Sequence, residues 1–182
     1  MIREHERKIL EAHIAELTTH ANNGRVDLIE HRLPRVWNYA HEHGIALPEQ
    51  TFTTIRTTAY HNGIKAALSR AQKNARQGFP EIVYRELQRA RGYAQYCGIT
   101  LSSSVLATLE HMAYDNGIET YLRWAERYAA DNNAVATNKM LAKALTYATK
   151  TGVNIDERTK ELDQWCSTQL KKKTSTWSPR NL

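Results

Sequence analysis

Tyr39-Ala40-His41-Glu42-His43-Gly44-Ile45 returns as Tyr93-Ala94-Gln95-Tyr96-Cys97-Gly98-Ile99 and again as Tyr147-Ala148-Thr149-Lys150-Thr151-Gly152-Val153, each time 54 residues later and without a gap. At the same offset Ala59-Tyr60-His61-Asn62-Gly63-Ile64 becomes Ala113-Tyr114-Asp115-Asn116-Gly117-Ile118, and Leu33 becomes Leu87 and then Leu141. A fixed period of this length marks one supersecondary unit stacked on copies of itself. The N-terminus joins partway through a unit, since Leu10, Ile14, Leu17 and Ala21 register with Ile64, Leu68, Ala71 and Ala75. The chain therefore divides into a partial unit 1–24, units 25–78 and 79–132, and a partial unit 133–170, the partial units serving as caps. A basic flexible tail, 171–182, follows.

Within a unit the spacing is that of helices. Ile29, Leu33, Val36 and Ala40 fall at i, i+4, i+7 and i+11, and Val83, Leu87, Ala90, Ala94 and Thr137, Leu141, Ala144, Ala148 keep the same stripe. Gly44, Gly63, Gly98, Gly117 and Gly152 are each followed by Ile or Val. That pattern suits a helix stop, where glycine takes the left-handed position and the next apolar residue packs back. Gly24, Gly78 and Asn132 mark a third stop in each unit, and Pro48, Ser102 and Asp156 a start. These signals predict an all-α fold of three-helix units, with helices at 6–22, 26–43, 48–62, 64–77, 80–97, 102–116, 118–131, 134–151 and 156–170. Pro34 falls inside the second of these, so that helix is kinked or begins near Leu33.

Joined by short turns and repeated, such helices build a solenoid whose units bury a continuous core only together. The stretch from Gly44 to Gly78, with Thr51-Phe52, Ala59-Tyr60, Asn62-Gly63 and Ala67-Leu68, resembles a tetratricopeptide or pentatricopeptide helical hairpin, and Gly98 to Asn132 repeats it. The resemblance implies an α-solenoid. It departs from both families in that an extra helix separates consecutive copies, so no base-reading or peptide-binding residue is carried across.

Composition bounds what such a chain does. At 182 residues and 41% hydrophobic it can bury a core without disulfides, and Cys97 and Cys166 have neither disulfide nor metal spacing. They read as small buried hydrophobes. A mean hydropathy of −0.62, with no apolar run near twenty residues, speaks against a membrane span. The mixed-charge start Met1-Ile2-Arg3-Glu4-His5-Glu6-Arg7-Lys8 is unlike a signal peptide, so the expected location is intracellular, cytoplasmic and soluble. The net charge of +6 and pI near 9.4 invite a nucleic-acid partner, but Lys171, Lys172, Lys173 and Arg180 supply +4 of it and leave a body of only +2.

The pattern that points to a ligand lies at repeated positions. His31, Arg85 and Lys139 share one, Arg35, Arg89 and Lys143 another four residues on, and no acid occupies either. Both lie opposite the Leu33 stripe, so three units would form a ladder of positive charge that tracks a phosphate backbone. The bland alternative is a solvated helix face. Trp124, between Arg123 and Arg127, points away from the apolar stripe of its helix and could stack on a base. Tyr39, Tyr93, Tyr147, Trp37 and Trp165 are assigned to packing between helices.

Chemistry finds little footing. His41-Glu42-His43 splits its imidazoles to different helix faces, and His13 and His20 lack a repeated acidic or thiolate companion, so neither makes a metal site. No Gly-x-x-x-x-Gly-Lys, Gly-x-Ser-x-Gly or Gly-x-Gly-x-x-Gly element occurs. The expectation is a non-catalytic protein without cofactor that binds RNA or single-stranded nucleic acid through the ladder, aided by Lys171, Lys172 and Lys173. A protein–protein adaptor, holding a partner by the solenoid face or the basic tail, is the second reading.

Overall fold

The computed structural model of the chain describes residues 2–175. Among them lie seven α-helices and no strand: α1 (Ile2–Asn22), α2 (Val26–Glu42), α3 (Glu49–Gln77), α4 (Pro80–Tyr96), α5 (Ser103–Ala130), α6 (Ala134–Thr151) and α7 (Asp156–Ser175). None is long and apolar enough to cross a membrane. The chain divides into two compact units. One comprises the residues up to Ala71 together with Arg85–Ser103, the other Gln72–Tyr84 with the chain from Ser104 onward.

The helix ends are made by the residues that repeat. Gly24, Gly44, Gly78, Gly98 and Gly152 all have φ between 61° and 74°, and Asn132, at the same repeat position as Gly24 and Gly78, has φ 57°. In each case the following amide reaches back to a carbonyl in the last turn: Ile45 N–H to Ala40 at 2.9 Å, Ile99 to Ala94 at 2.8 Å, Val153 to Ala148 at 3.1 Å. These bonds satisfy carbonyls that the end of the helix leaves unpaired. At the other end of α6 the Asn133 side chain accepts from the Ala136 amide at 3.1 Å.

Gly63 and Gly117 are not stops. Each lies inside a continuous helix, α3 or α5, so the nine expected helices are seven and the hairpin likeness of 44–78 and 98–132 has no turn at its centre. The reason is packing. A Cβ on Gly63 would lie 2.8 Å from Val26 Cγ2 and 3.0 Å from the Tyr93 ring, and one on Gly117 would lie 2.9 Å from the Tyr147 ring. The preceding asparagines complete the seat: Asn62 Nδ2 donates to the Ala21 carbonyl at 3.2 Å, and Asn116 Nδ2 to the Ala75 carbonyl at 3.0 Å. The Asn-Gly pair thus receives the end of an earlier helix instead of ending its own. Both sets of contacts are 54 residues apart, as are the edge-on pairs Tyr60/Tyr93 and Tyr114/Tyr147, each with centroids 5.4 Å apart.

In the first unit Val26, Ile29, Leu33, Val36 and Ala40 of α2 pack with Leu10, Leu17 and Ala21 of α1 and with Phe52, Ile55 and Ala59 of α3. Removing each leucine or isoleucine from water stabilises by about 2 kcal/mol. In the second unit Ile118, Leu122 and Ala125 of α5 pack with Leu141, Ala144, Tyr147 and Ala148 of α6, and with Ile155 and Cys166. Cys97 is only half-buried. Pro34 neither starts nor ends its helix: α2 begins at Val26 and carries Pro34 on its exposed side, where water can take the Glu30 carbonyl that loses its amide partner. Trp165 packs on the second core, whereas Trp37 stays 43% exposed with its edge on Phe52 at 5.2 Å. α7 runs on through Ser175, five residues past its expected end and into the expected flexible tail.

Candidate nucleic-acid interface

Helices α2, α4 and α6 each turn the equivalent face outward. With the core stripe on one side, positions 31, 85 and 139 and, one turn on, 35, 89 and 143 fall on the opposite side at about 100° per residue. His31, Arg35, Arg85, Arg89 and Lys139 are exposed, and Lys143 is half-buried. His31, Arg35, Arg85 and Lys139 have no ion-pair or hydrogen-bond partner for their side chains among the described residues.

The other two ladder residues are ion-paired, with acids that the repeat positions themselves do not contain. Arg89 Nη1 pairs with Glu86 at 3.0 Å, and Glu86, its side chain only 12% exposed, also accepts from Arg70 Nε at 2.9 Å. Lys143 Nζ lies 3.6 Å from Glu81 and donates to the Tyr121 hydroxyl at 3.3 Å, its ammonium 5.0 Å from that ring's centre. The Tyr121 hydroxyl and the Glu81 charge hold the ammonium's pKa above its ordinary value. Burial alone would raise the Glu81 carboxyl, yet the hydrogen bond from Tyr147 at 2.5 Å, backbone hydrogen bonding and the Lys143 charge bring it below the usual range.

The chain matches no protein-family model, no curated protein and no solved structure. What the face can do rests on its own geometry. Trp124 is 38% exposed, so its indole is reachable, but its ring already meets Tyr121 edge-on at 5.2 Å and Phe79 at 6.3 Å. Arg123 and Arg127 beside it are exposed, and Arg123 Nε donates to the Glu119 carbonyl at 3.3 Å. Lys171 is exposed on α7, whereas the side chains of Lys172 and Lys173 lie outside the described residues. Among the described residues no cluster of three or more His, Cys, Asp or Glu is gathered to hold a metal.

Two features escape a reading of the sequence. One is a polar network in the first unit: Arg56 Nε pairs with Glu30 at 2.9 Å beside Tyr60, whose ring stacks on Tyr96 with centroids 3.9 Å apart. Burial, with Glu30 and Tyr96 close by, pushes the Tyr60 phenol up to about 12. The other is a groove of about 510 Å³ between α1 and α2, floored by Leu17, Val36 and Tyr39 and rimmed by His13, Arg35 and the Glu16–Arg32 ion pair. A signal for it is present in the repeat. Positions 16 and 32 are Glu and Arg, their counterparts 70 and 86 are Arg and Glu, and the next pair, 124 and 140, is Trp and Met. A pair that exchanges sign while keeping its register is in contact, and both ionic versions are bonded.

Proposed function

We propose that the chain is a non-catalytic helical-repeat protein of 54-residue period that binds single-stranded nucleic acid, RNA above all, through the outward faces of α2 and α4 in one unit and, separately, of α6 in the other. The observation that carries this reading is the set of unpaired side chains His31, Arg35, Arg85 and Lys139, at two repeat-equivalent positions with no acid at either. Other cations of the chain are paired, as at Arg32, Arg56, Arg70 and Arg158. Arg85 and Lys139, unpaired at one matching position, suit a ligand whose charges also repeat, and a phosphate backbone is such a ligand. The recurring Asn62 and Asn116 hydrogen bonds and the exchanged ion pairs support a repeat in structure as well as sequence.

The test is binding of a fluorescein-labelled oligouridylate, followed by anisotropy across a salt series. Affinity is expected to fall steeply with salt, and Arg35→Glu with Arg85→Glu is expected to weaken it at least tenfold and reduce the salt slope by about one for each phosphate no longer neutralised. Lys143→Ala is expected to do far less, because Lys143 is already held by Glu81 and Tyr121. A double variant that binds like the parent would overturn the reading. A chain that binds no strand, yet keeps one protein partner through nuclease and moderate salt, is an adaptor.

A further inference from the structure

The α1–α2 groove is open where a later copy of the same repeat is filled by its own aromatic rings. Positions 13, 16, 32, 35 and 39 in the first copy correspond to Tyr121, Trp124, Met140, Lys143 and Tyr147 two periods on. There the Tyr121 ring lies between two neighbours: Tyr147 meets it edge-on with centroids 5.4 Å apart, and the Lys143 ammonium sits 5.0 Å from its centre. Trp124 adds a second plane, edge-on to Tyr121 at 5.2 Å. This copy of the repeat therefore holds flat rings at this place, beneath a cation and against a tyrosine.

In the first copy the cation and the tyrosine remain, as Arg35 and Tyr39, but the large rings do not. His13, 6.1 Å edge-on from Tyr39, stands in for Tyr121, and Glu16 and Arg32 replace Trp124 and Met140. A groove of about 510 Å³ remains, within the range of sites that bury a small ligand. Its floor of Leu17, Val36 and Tyr39 is apolar, and its unpaired charge is the Arg35 guanidinium. Glu16, the one acid at the rim, is engaged by Arg32 and His20. An occupant that replaces the missing rings and answers the free guanidinium is flat, aromatic and anionic.

We propose that this groove takes one unstacked base of a nucleic-acid strand, its face toward Tyr39 and His13 and its phosphate on Arg35. The assignment rests on the function proposed above and specifies it: the outward faces carry the backbone, and the groove carries a base. Arg35 belongs to both, since it lines the groove and stands in the ladder. Paired duplex keeps its bases stacked and has none to offer here.

The test compares an oligouridylate with an abasic strand of equal length and charge, using the full chain and the variant Glu16→Trp with Arg32→Met. That variant installs the residues a later copy already carries, so the helix pair accommodates them and the groove closes. Circular dichroism and the urea midpoint check that it stays folded, and Tyr39→Ala, which removes the stacking surface without filling the groove, serves as a second variant. The parent is expected to bind the oligouridylate about tenfold more tightly than the abasic strand, as stacking of one base provides. Both variants are expected to lose that preference while keeping the parent's abasic affinity and salt slope. Equal binding of both strands by the parent, or a preference that survives in both variants, overturns the groove assignment alone. A parent that binds neither strand at low salt overturns the nucleic-acid reading, and the groove assignment with it.

Discussion

Gly78→Ala is expected to cost about 3 kcal/mol of stability, roughly three times the loss at Gly98→Ala, because an alanine gives up roughly 1 kcal/mol to a left-handed backbone at either place and meets a backbone clash only at 78. Both glycines end a helix in that conformation, with φ 73° and 66°. The environments differ. A Cβ at 98 meets nothing within 4 Å, whereas one at 78 lies 2.5 Å from the Asn116 carbonyl oxygen and 2.6 Å from its carbon. Those are backbone atoms of a mid-helix residue and have no rotamer into which to retreat. The α3–α4 turn must lift from α5, which also opens the 3.0 Å bond from Asn116 to the Ala75 carbonyl, worth about 1 kcal/mol, and loosens the close packing around Gly117. Gly24→Ala meets the Asn62–Gly63 backbone at 2.7 Å and belongs with Gly78. Urea denaturation of the three variants reads the difference. If Gly78→Ala and Gly98→Ala shift the midpoint equally, the Asn-Gly pair is not a seat for the turn, and the explanation for the unbroken α3 and α5 fails.

The second large effect is expected at Glu86. Its carboxylate is buried between Arg70 and Arg89, at 2.9 and 3.0 Å. Glu86→Arg sets a third guanidinium among these two and is expected to destabilise by about 3 kcal/mol, the scale for breaking a largely buried pair. Arg70→Glu alone should cost about 1 kcal/mol, because Arg70 is half-exposed and solvent screens the repulsion. Together the two substitutions should recover at least half of the larger loss. The first copy shows why: there Glu16 pairs with Arg32, and Arg35 stands three residues on, which is the arrangement the double variant reproduces beside Arg89. A double-mutant cycle by urea or thermal unfolding measures the coupling. Additive losses would mean that the two ion pairs do not occupy equivalent places and that the 54-residue register does not extend to side-chain contacts.

Much of the secondary structure is legible in the sequence because its causes are local. The left-handed ends at Gly24, Gly44, Gly78, Gly98, Asn132 and Gly152 follow from a glycine or asparagine and an amide that reaches back into the last turn. The short helices α2, α4 and α6 stand within a residue of where the apolar stripe places them. Gly63 and Gly117 mislead because Gly-Ile looks the same there as at Gly44. What separates them lies downstream. Gly44 and Gly98 are followed by Ile-Ala-Leu-Pro and Ile-Thr-Leu-Ser-Ser, which interrupt a helix, whereas Gly63 is followed by Ile-Lys-Ala-Ala-Leu, which propagates one. With no breaker after it, a glycine in a helix costs only about 1 kcal/mol. The close fit of Val26 and Tyr93 against Gly63 outweighs that.

The site divides along the same line. Amino-acid order alone is enough for the left-handed helix ends and for the two outward positions on each short helix, because a helix places side chains by spacing. It is not enough to say which of those charges stay free. Arg89 and Lys143 are paired with Glu86 and Glu81, acids outside both ladder positions, and the network that organises Glu81 joins it to Tyr147 across 66 residues of sequence. The groove beside Arg35 likewise exists because Glu16 and Arg32 meet between α1 and α2 where Trp124 and Met140 stand two periods later. Charge and volume add up in space rather than along the chain. Helices can therefore be read from one strand of letters, while the charges that stay free and the groove that stays open depend on which side chains the folded helices bring together.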